Sequence, residues 1–295
     1  MIKGIIFSLL ASFLFGYIYY FSTLLLPLGG EDIFGYRVIF TAPFVISAVF
    51  LFKQKYHLIA HFKRIQRQPW FILVFLLNGL MMGFQMWLFL WAPNNGGAIS
   101  VSLGYLLLPL VMVAAGRIFF KEHISKLKYL AILLATIGVA TNIVLTGGLS
   151  WESIAVCGYA LYFMIRKHFN IADIAGFAIE MSLILPICIF FAAQVNIEQV
   201  QQVNPHIIWL LLLLGIFSGV AFIFYIAASN LLPINLLGLL GYIEPILMLG
   251  VAFMLGEKIS LESYPLFICL ISAMLLILVD GIIKIRGKNA NKVHL

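Results

Sequence analysis

The sequence is poor in charged residues and in cysteine. Only 10% of its 295 residues are charged, whereas 63% are hydrophobic and the mean hydropathy is +1.10. No soluble core needs so much apolar residue, so the composition excludes an ordinary soluble protein and indicates a multi-pass membrane protein. The three cysteines lie inside apolar segments, and we interpret them as small core residues without a disulfide or a metal. They are Cys157, Cys188 and Cys269.

The sequence also lacks the usual parts of a catalytic or nucleotide-binding site. It has no Gly-rich phosphate loop, no nucleophile elbow and no His/Cys spacing suited to a metal ion. We therefore expect no enzymatic activity, no cofactor and no bound metal. The net charge of +7 does not indicate nucleic acid, because the basic residues fall in short loops where they set membrane orientation. The six histidines lie in loops, at segment ends or in the tail: His57, His61, His123, His168, His206 and His294.

Ten apolar segments occupy most of the chain, and their lengths suit helices that cross a bilayer. They cover about residues 4–26, 32–52, 70–92, 97–120, 127–146, 150–166, 174–194, 206–229, 235–255 and 263–284. The first is too long for the apolar region of a signal peptide, so we expect it to remain as a helix. No hydrophilic domain accompanies the segments. We therefore predict an all-α membrane protein of ten transmembrane helices.

Lysine and arginine concentrate at alternate ends of these segments. They precede the first segment, fill the connection between the second and third, follow the fourth and sixth, and form the tail. With ten spans these positions share one side, which the positive-inside rule assigns to the cytoplasm. We therefore expect an inner (plasma) membrane protein with both termini cytoplasmic. The basic stretch at 63–67 also suits contact with anionic lipid.

Short matches divide the chain into two halves of five segments each. The sequence Asp-Ile-Phe-Gly-Tyr at 32–36 opens the second segment, and Asp-Ile-Ala-Gly-Phe at 173–177 opens the seventh. A Lys/Glu pair closes both the fourth segment, at 121–122, and the ninth, at 257–258. Because five is odd, the second half must be inverted in the membrane. The predicted repeats are residues 1–147 and 148–295.

A carboxylate and a proline interrupt the ninth segment. Glu244 lies about 13 Å in from the start of the segment, near the middle of a ~30 Å hydrocarbon core, where its charged form is disfavoured. Pro245 frees the carbonyl of Gly241 from its helical partner, and Pro109 frees that of Tyr105 in the fourth segment. Helices broken at corresponding positions of two halves are typical of a transporter binding site.

Taken in order, the motifs resemble the drug/metabolite transporter superfamily, and in detail the RarD group of its EamA-type members. The resemblance covers the whole chain. It rests on Arg37, Trp-Ala-Pro-Asn-Asn at 91–95, Ser-Leu-Gly-Tyr at 102–105 before Pro109, Arg166-Lys167, and Glu180 before Pro186. Three positions depart from the group's pattern. Tyr36 stands for the usual His, Phe15 for the usual Trp, and Glu244 for a small residue.

The resemblance implies a secondary transporter of small organic solutes that works by alternating access. The expected solutes are amino-acid-like metabolites or drugs, with export favoured. An importer or exchanger of a nucleoside-like or sulfonium solute is the alternative within this class. Outside it, a membrane-embedded sensor would need an output domain, and an integral enzyme would need intramembrane His or Asp clusters. Expected partners are the solute, the lipid bilayer and protons as a coupling ion, in a monomer or homodimer.

Polar and aromatic side chains recur on single helical faces, as in the lining of an aqueous cavity. One such face, in the sixth segment, carries Tyr159, Tyr162 and Arg166. Ordinary packing through small residues is the alternative. Arg37 and Glu180 are separated by roughly 12 Å along the membrane normal, so each is expected to find its own local partner. We expect Arg37 to turn toward Glu31 or Asp32, and Glu180 toward a polar group on a neighbouring helix. The predicted solute site comprises Gln85, Trp91, Tyr105, Tyr162, Tyr225, Tyr242 and Glu244. The predicted coupling or structural charges are Glu244, Glu180 and Arg37.

Overall fold

The structure is a computed structural model that describes residues 2–121, 124–232, 236–237 and 240–293, with side chains as far as residue 283. The sequence predictions that involve Glu122, His123, Asn235 or His294 lie outside the described residues.

Helices make up all the regular structure within these described ranges. They are α1 Ile2–Phe21, α2 Gly30–Leu51, α3 Lys55–Arg67, α4 Phe71–Trp91, α5 Ala98–Phe120, α6 Lys126–Thr146, α7 Trp151–His168, α8 Ile174–Ala193, α9 Ile197–Val203, α10 Ile207–Leu231, α11 Ile243–Met254 and α12 Tyr264–Val293. Short 3-10 turns extend α1 and α4 and precede α12. Eight of the described helices are long and apolar enough to cross a membrane.

Two helices replace connections that the sequence predicted as loops. The helix α3 fills the basic connection between the second and third segments, and α9 fills the connection after α8. Both are too polar to register as apolar segments. In α3 the inward side chains, such as Leu58, His61 and Ile65, recur at helical spacing while the charged ones face outward. The basic stretch at 63–67 is therefore part of an amphipathic helix.

Only one of the two predicted helix breaks interrupts a helix. The helix α5 continues through Pro109 from Ala98 to Phe120, contrary to the prediction. A proline removes one backbone hydrogen bond, and the neighbouring turns can keep helical geometry inside a bundle. Before Glu244, by contrast, Gly241 and Tyr242 form a turn, and α11 begins after it.

The chain forms two compact units that each draw on both halves of the sequence. Unit 1 comprises Met1–Ser12, Ala98–Ala160 and Ala227–Leu295, and unit 2 comprises Phe13–Gly97 and Leu161–Ile226. The predicted repeats divide the chain at a different place. A repeat is defined by sequence order and chain direction rather than by contacts, so the boundary at 147 stays a prediction.

The core of unit 1 is built by α5, α6, α11 and α12. Leucines of α5 pack with Tyr242 and with apolar side chains of α6 and α12. A Cβ atom on Gly138 of α6 would lie 2.7 Å from Cys269 of α12, so these helices approach at van der Waals distance. The loop after α11 returns to the start of α5, where Glu257 accepts hydrogen bonds from the N–H groups of Ala98 and Ile99 at 2.8 and 2.7 Å.

The core of unit 2 is built mainly by α2, α4 and α8. A Cβ atom on Gly35 would lie 2.7 Å from the carbonyl oxygen of Cys188, and one on Gly79 would lie 2.8 Å from that of Glu180. Glycines on α2 and α4 therefore bring both helices against the backbone of α8. Below them, α3 packs on an apolar cluster that includes Phe71 and Phe75. This packing surrounds the polar groups described next.

Candidate functional site

Glu180 lies in α8 with its side chain fully buried, and two side chains of α7 face it. The hydroxyl of Tyr162 donates to Oε2 at 2.9 Å, and Nε of Arg166 lies 3.6 Å from Oε1. Tyr162 and Arg166 are four residues apart, so they share one face of the helix. A buried carboxylate is very costly unless it is paired and hydrogen-bonded, and this face of α7 supplies both kinds of partner.

Arg166 is itself held by the connection between α7 and α8. Its Nη2 donates to the carbonyl oxygens of Ile171 and Asp173 at 3.1 and 2.8 Å, and its Nη1 donates to the Tyr162 hydroxyl at 2.6 Å. These bonds fix the guanidinium before any solute binds. The hydroxyl of Tyr162 therefore accepts from Arg166 and donates to Glu180, which links the three groups into one network.

The side chain of Asp173 joins α3 to the start of α8. Its Oδ1 accepts from the N–H of Gly176 at 2.7 Å, which caps the helix, and its Oδ2 lies 2.9 Å from Nε2 of His61 and 3.8 Å from Nδ1 of His57. Burial alone would raise the pKa of this carboxyl. The hydrogen bonds from His61 and Gly176, with the nearby histidines, hold the pKa below its ordinary value.

A second basic side chain fixes α3 in place. Arg64 donates to the carbonyl oxygen of Phe169 at 2.7 Å, and its guanidinium lies 3.7 Å from the ring centre of Phe71. The combination of a hydrogen bond and a cation–π contact favours one position of the helix. The α3 helix is thus attached at two points to the connection that also holds Arg166.

Arg37 is the other buried charge of unit 2, and it is 3% exposed. Its Nε donates to Oγ of Ser218 in α10 at 3.0 Å, and its guanidinium lies 5.3 Å from the ring centre of Phe89. Glu180 is paired separately, with Tyr162 and Arg166. The structure therefore places a hydroxyl and an aromatic ring beside Arg37, neither of which the sequence indicated, and a tyrosine and an arginine beside Glu180.

Further buried polar groups accompany these charges in unit 2. Thr41 and Asn78 are 0% exposed, and Gln85 is 5% exposed. Within the described part of the chain, Oγ1 of Thr41 and Oδ1 of Asn78 have no hydrogen-bond partner. Buried polar atoms are seldom left without a partner, so these positions suit contact with water or a bound solute. Polar side chains are therefore buried at several positions along the helices of unit 2.

The other predicted site residues of unit 2 differ in their burial. Trp91 is half-buried and its ring centre lies 5.6 Å from that of Trp87. Tyr225 is 47% exposed on α10. Among the predicted site residues of this unit, Tyr162 donates a hydrogen bond to Glu180.

Unit 1 contains the remaining predicted residues. Tyr105 is half-buried in α5, and Tyr242 is 3% exposed among the leucines of the same helix. The Tyr242 hydroxyl has no hydrogen-bond partner among the described residues. Glu244 is half-buried in the first turn of α11, where the positive end of the helix dipole favours a negative charge.

Sequence reasoning missed the roles of four residues in the structure. Arg166 was recognised as sharing a face with Tyr162 but not as the partner of Glu180. Asp173 and His61 were not connected, because helical periodicity says nothing about which distant helix a face meets. Asp280, an acid inside the last apolar segment, is 4% exposed on α12. A carboxylate within an apolar run is the signal that could have found it.

Comparison with known proteins identifies the family. The sequence pattern of the EamA-like transporter family matches residues 2–144. An uncharacterized transporter of Haemophilus influenzae is 62% identical over 296 residues, covering 100% of this chain and 99% of that protein. The chloramphenicol-sensitive protein RarD of Pseudomonas aeruginosa is 36% identical, with 88% of each chain covered. Protein RarD of Escherichia coli is 29% identical, with 95% of each chain covered.

A protein of known crystal structure shares the fold. Its TM-score is 0.55 at 17% identity, and the match covers 94% of this chain and 97% of that chain. The fold and the relatives agree with the motifs that follow one another along the sequence. This chain therefore belongs to the EamA-like transporter family of the drug/metabolite transporter superfamily, and within it to the RarD group.

Proposed function

We propose that this protein is a secondary transporter of the inner membrane that moves small organic solutes by alternating access, with export as the favoured direction. The observation that carries the proposal is the fully buried carboxylate of Glu180, which faces Arg166 and Tyr162 inside a helical bundle. Ionisable groups within membrane helices are rare, and they commonly mark solute or ion pathways. Membership in a transporter family supports the same function.

The polar interior of unit 2 supports a solute-binding role. We propose that Gln85, Trp91, Tyr162 and Tyr225 contact the solute in this unit, and that Tyr105, Tyr242 and Glu244 do so in unit 1. Aromatic rings and hydroxyl groups can bind an organic solute without a large desolvation cost. Glu180, Glu244 and Arg37 are the proposed charges for coupling or for structure. Because the sequence contains no nucleotide-binding motif, we propose that an ion or solute gradient supplies the energy.

Contacts within each unit support ten membrane crossings in two inverted repeats. Asp173 contacts α3, so both lie at the same membrane surface, and the chain between them must cross an even number of times. The helices α4, α5 and α6 are long and apolar enough to be three spans, so we propose α7 as the fourth. Glu257 likewise contacts the start of α5. An even count between these two points supports a crossing by the segment that ends in α11.

The experiment that tests the function compares the metabolites of cells with and without the protein, and then measures flux of the responding solute in proteoliposomes. Chloramphenicol is a suitable first probe, because one relative is named for sensitivity to it. Glu180→Gln keeps the shape of the side chain but cannot ionise. We expect it to lower net flux by about tenfold, as when a coupling of 1–3 kcal/mol is lost.

The matched control is Glu198→Gln on the exposed surface of α9, which should leave flux unchanged. Flux that occurs only from outside to inside would identify the importer or exchanger. Absence of flux for every responding solute with folded wild-type protein would contradict a transport function.

A further inference from the structure

A continuous series of contacts leads from an exposed histidine to the buried carboxylate of Glu180. His57 and His61 both face Oδ2 of Asp173, the carbonyl oxygen of Asp173 accepts from Arg166, and Arg166 faces Glu180. The side chain of His57 is 52% exposed, that of Asp173 21%, that of Arg166 12% and that of Glu180 0%, and His61 beside Asp173 is 7% exposed. The series therefore connects the surface with the interior of unit 2.

The groups in this series are near enough to influence one another's charge. Asp173 and Glu180 share Arg166 as a partner, because its Nη2 donates to the carbonyl oxygen of Asp173 at 2.8 Å and its Nε lies 3.6 Å from Oε1 of Glu180. From α7, Tyr162 and Arg166 face the carboxylate, and Gly79 of α4 packs against the backbone carbonyl of Glu180. Around the histidines, Asp173 is the acid in contact, and Arg64 lies on the same helix.

We propose that His57, His61 and Asp173 form a proton-binding site at the surface of unit 2, and that its occupancy controls the charge state of Glu180. The proposal rests on the proposed function, because it names the regulation of the acid on which transport depends. The site lies on the basic connection after α2, which the distribution of Lys and Arg assigns to the cytoplasm. The proton occupancy of the site therefore depends on the proton concentration of the cytoplasm.

The direction of the effect follows from the charges. Histidine is the side chain whose charge ordinarily changes between about pH 5 and 8. When both histidines are neutral, the negative charge of Asp173 is uncompensated and favours the protonated form of Glu180. When they are protonated, they neutralise Asp173, and Arg166 then stabilises the ionised form of Glu180. A proton bound at the surface thus promotes release of a proton in the interior.

Infrared difference spectroscopy of the full-length protein in liposomes measures this coupling without a transported solute. The carbonyl stretch of a protonated carboxylic acid reports Glu180 directly, and Glu180→Gln identifies the band by its loss. The double variant His57→Gln, His61→Gln keeps side chains that can donate a hydrogen bond to Asp173 but cannot become charged. We expect its ratio of ionised to protonated Glu180 at about pH 6 to fall threefold to tenfold below wild type.

A second variant predicts the opposite change. Asn is as good a helix cap as Asp, so Asp173→Asn keeps the start of α8 while removing the negative charge. We expect the ratio of ionised to protonated Glu180 near neutral pH to rise above wild type by about threefold to tenfold. The matched control is His168→Gln, an exposed histidine at the end of α7, which should leave the band unchanged.

The same Glu180 band in wild type, the double histidine variant and Asp173→Asn across the whole pH range would overturn the proposal. So would a change of equal size in His168→Gln. The measurement is independent of flux. A shifted band in protein that transports nothing would contradict the proposed function alone, whereas an unshifted band in active protein would contradict this inference alone.

Discussion

At the scale of single residues, each of the buried charges Arg37 and Glu180 meets a different kind of partner. Arg37 has a hydroxyl and an aromatic ring. Glu180 has the hydroxyl of Tyr162 and the cation of Arg166, but its Oε1 makes an ion-pair contact at 3.6 Å without a hydrogen bond. A carboxylate with spare acceptor capacity is suited to exchange one partner for another, as a coupling group must.

Replacing Arg166 by Met tests whether the pair stabilises the fold. The change leaves a buried carboxylate without its cation, so we expect the free energy of unfolding to fall by about 3 kcal/mol. Denaturant unfolding of the purified protein in detergent measures the loss. The combination with Glu180→Gln should recover part of the stability, because no buried charge then remains unpaired.

Arg67→Met, on the exposed side of α3, is the matched control and should change stability little. Equal stability of Arg166→Met and Arg67→Met, without any recovery in the combined variant, would contradict a stabilising pair.

The residues of this network show what sequence can and cannot predict. Tyr162 was predicted to belong to the solute site, and Glu180 to be a coupling or structural charge. Polar groups inside an apolar helix are costly, so they usually have such a role. Arg166 was placed on the right face of its helix. Its partner could not be deduced, because periodicity defines a face but not the helix that packs against it. The close approaches at Gly35 and Gly79 determine which helices pack against α8.

At the scale of helices, apolar runs predicted the positions of the spans within a few residues. They failed for α3, whose polarity hides its helical periodicity. The run at 97–120 predicted α5 correctly, and only the break expected at Pro109 was wrong. The Lys/Glu motif that closes the ninth segment has a structural role that the sequence did not predict. Glu257 binds the first N–H groups of α5, which places a negative charge at the positive end of that helix.

The start of α8 allows a pH-dependent prediction. Asp173→Ala removes a helix cap and the acceptor of His61, so we expect a loss of about 1 kcal/mol at neutral pH. Because folding lowers the pKa of Asp173, its stabilising effect is present above the unfolded pKa of about 3.9 and is lost as the pH falls through the lower folded value. Wild type and variant should therefore converge in acid, as measured by thermal unfolding in detergent across a pH series.

Asp173→Asn separates the two contributions in the same experiment. It keeps the cap, so it should be more stable than Asp173→Ala at neutral pH. A difference between wild type and Asp173→Ala that stays constant from neutral to acid pH would show that the charge of Asp173 contributes nothing.

At the scale of the whole molecule, contacts between distant loops bear on the proposed number of membrane crossings. Two loops in contact lie at the same membrane surface, so an even number of spans separates them. Length and composition identify eight spans, and they omit α7 and the segment ending in α11. The contact between His61 and Asp173 favours a crossing by α7, as we propose, and that between Glu257 and Ala98 favours a crossing by the segment that ends in α11. Asn204 gives a third test, since its side chain donates to the carbonyl oxygens of Leu24 and Leu26. An even count between these residues again favours a crossing by α7.

Cysteine labelling separates ten crossings from eight. Both topologies leave the termini on the same side, so a reporter fused after Leu295 should be cytoplasmic in either and tests only the orientation. With ten crossings Glu198 lies outside and His168 inside, whereas with eight the two are reversed. In a background where Cys157, Cys188 and Cys269 are replaced by Ala, we expect a membrane-impermeant maleimide to label Glu198→Cys in spheroplasts. It should label His168→Cys only after lysis, and the reversed pattern would refute the ten-helix topology and the inverted repeat with it.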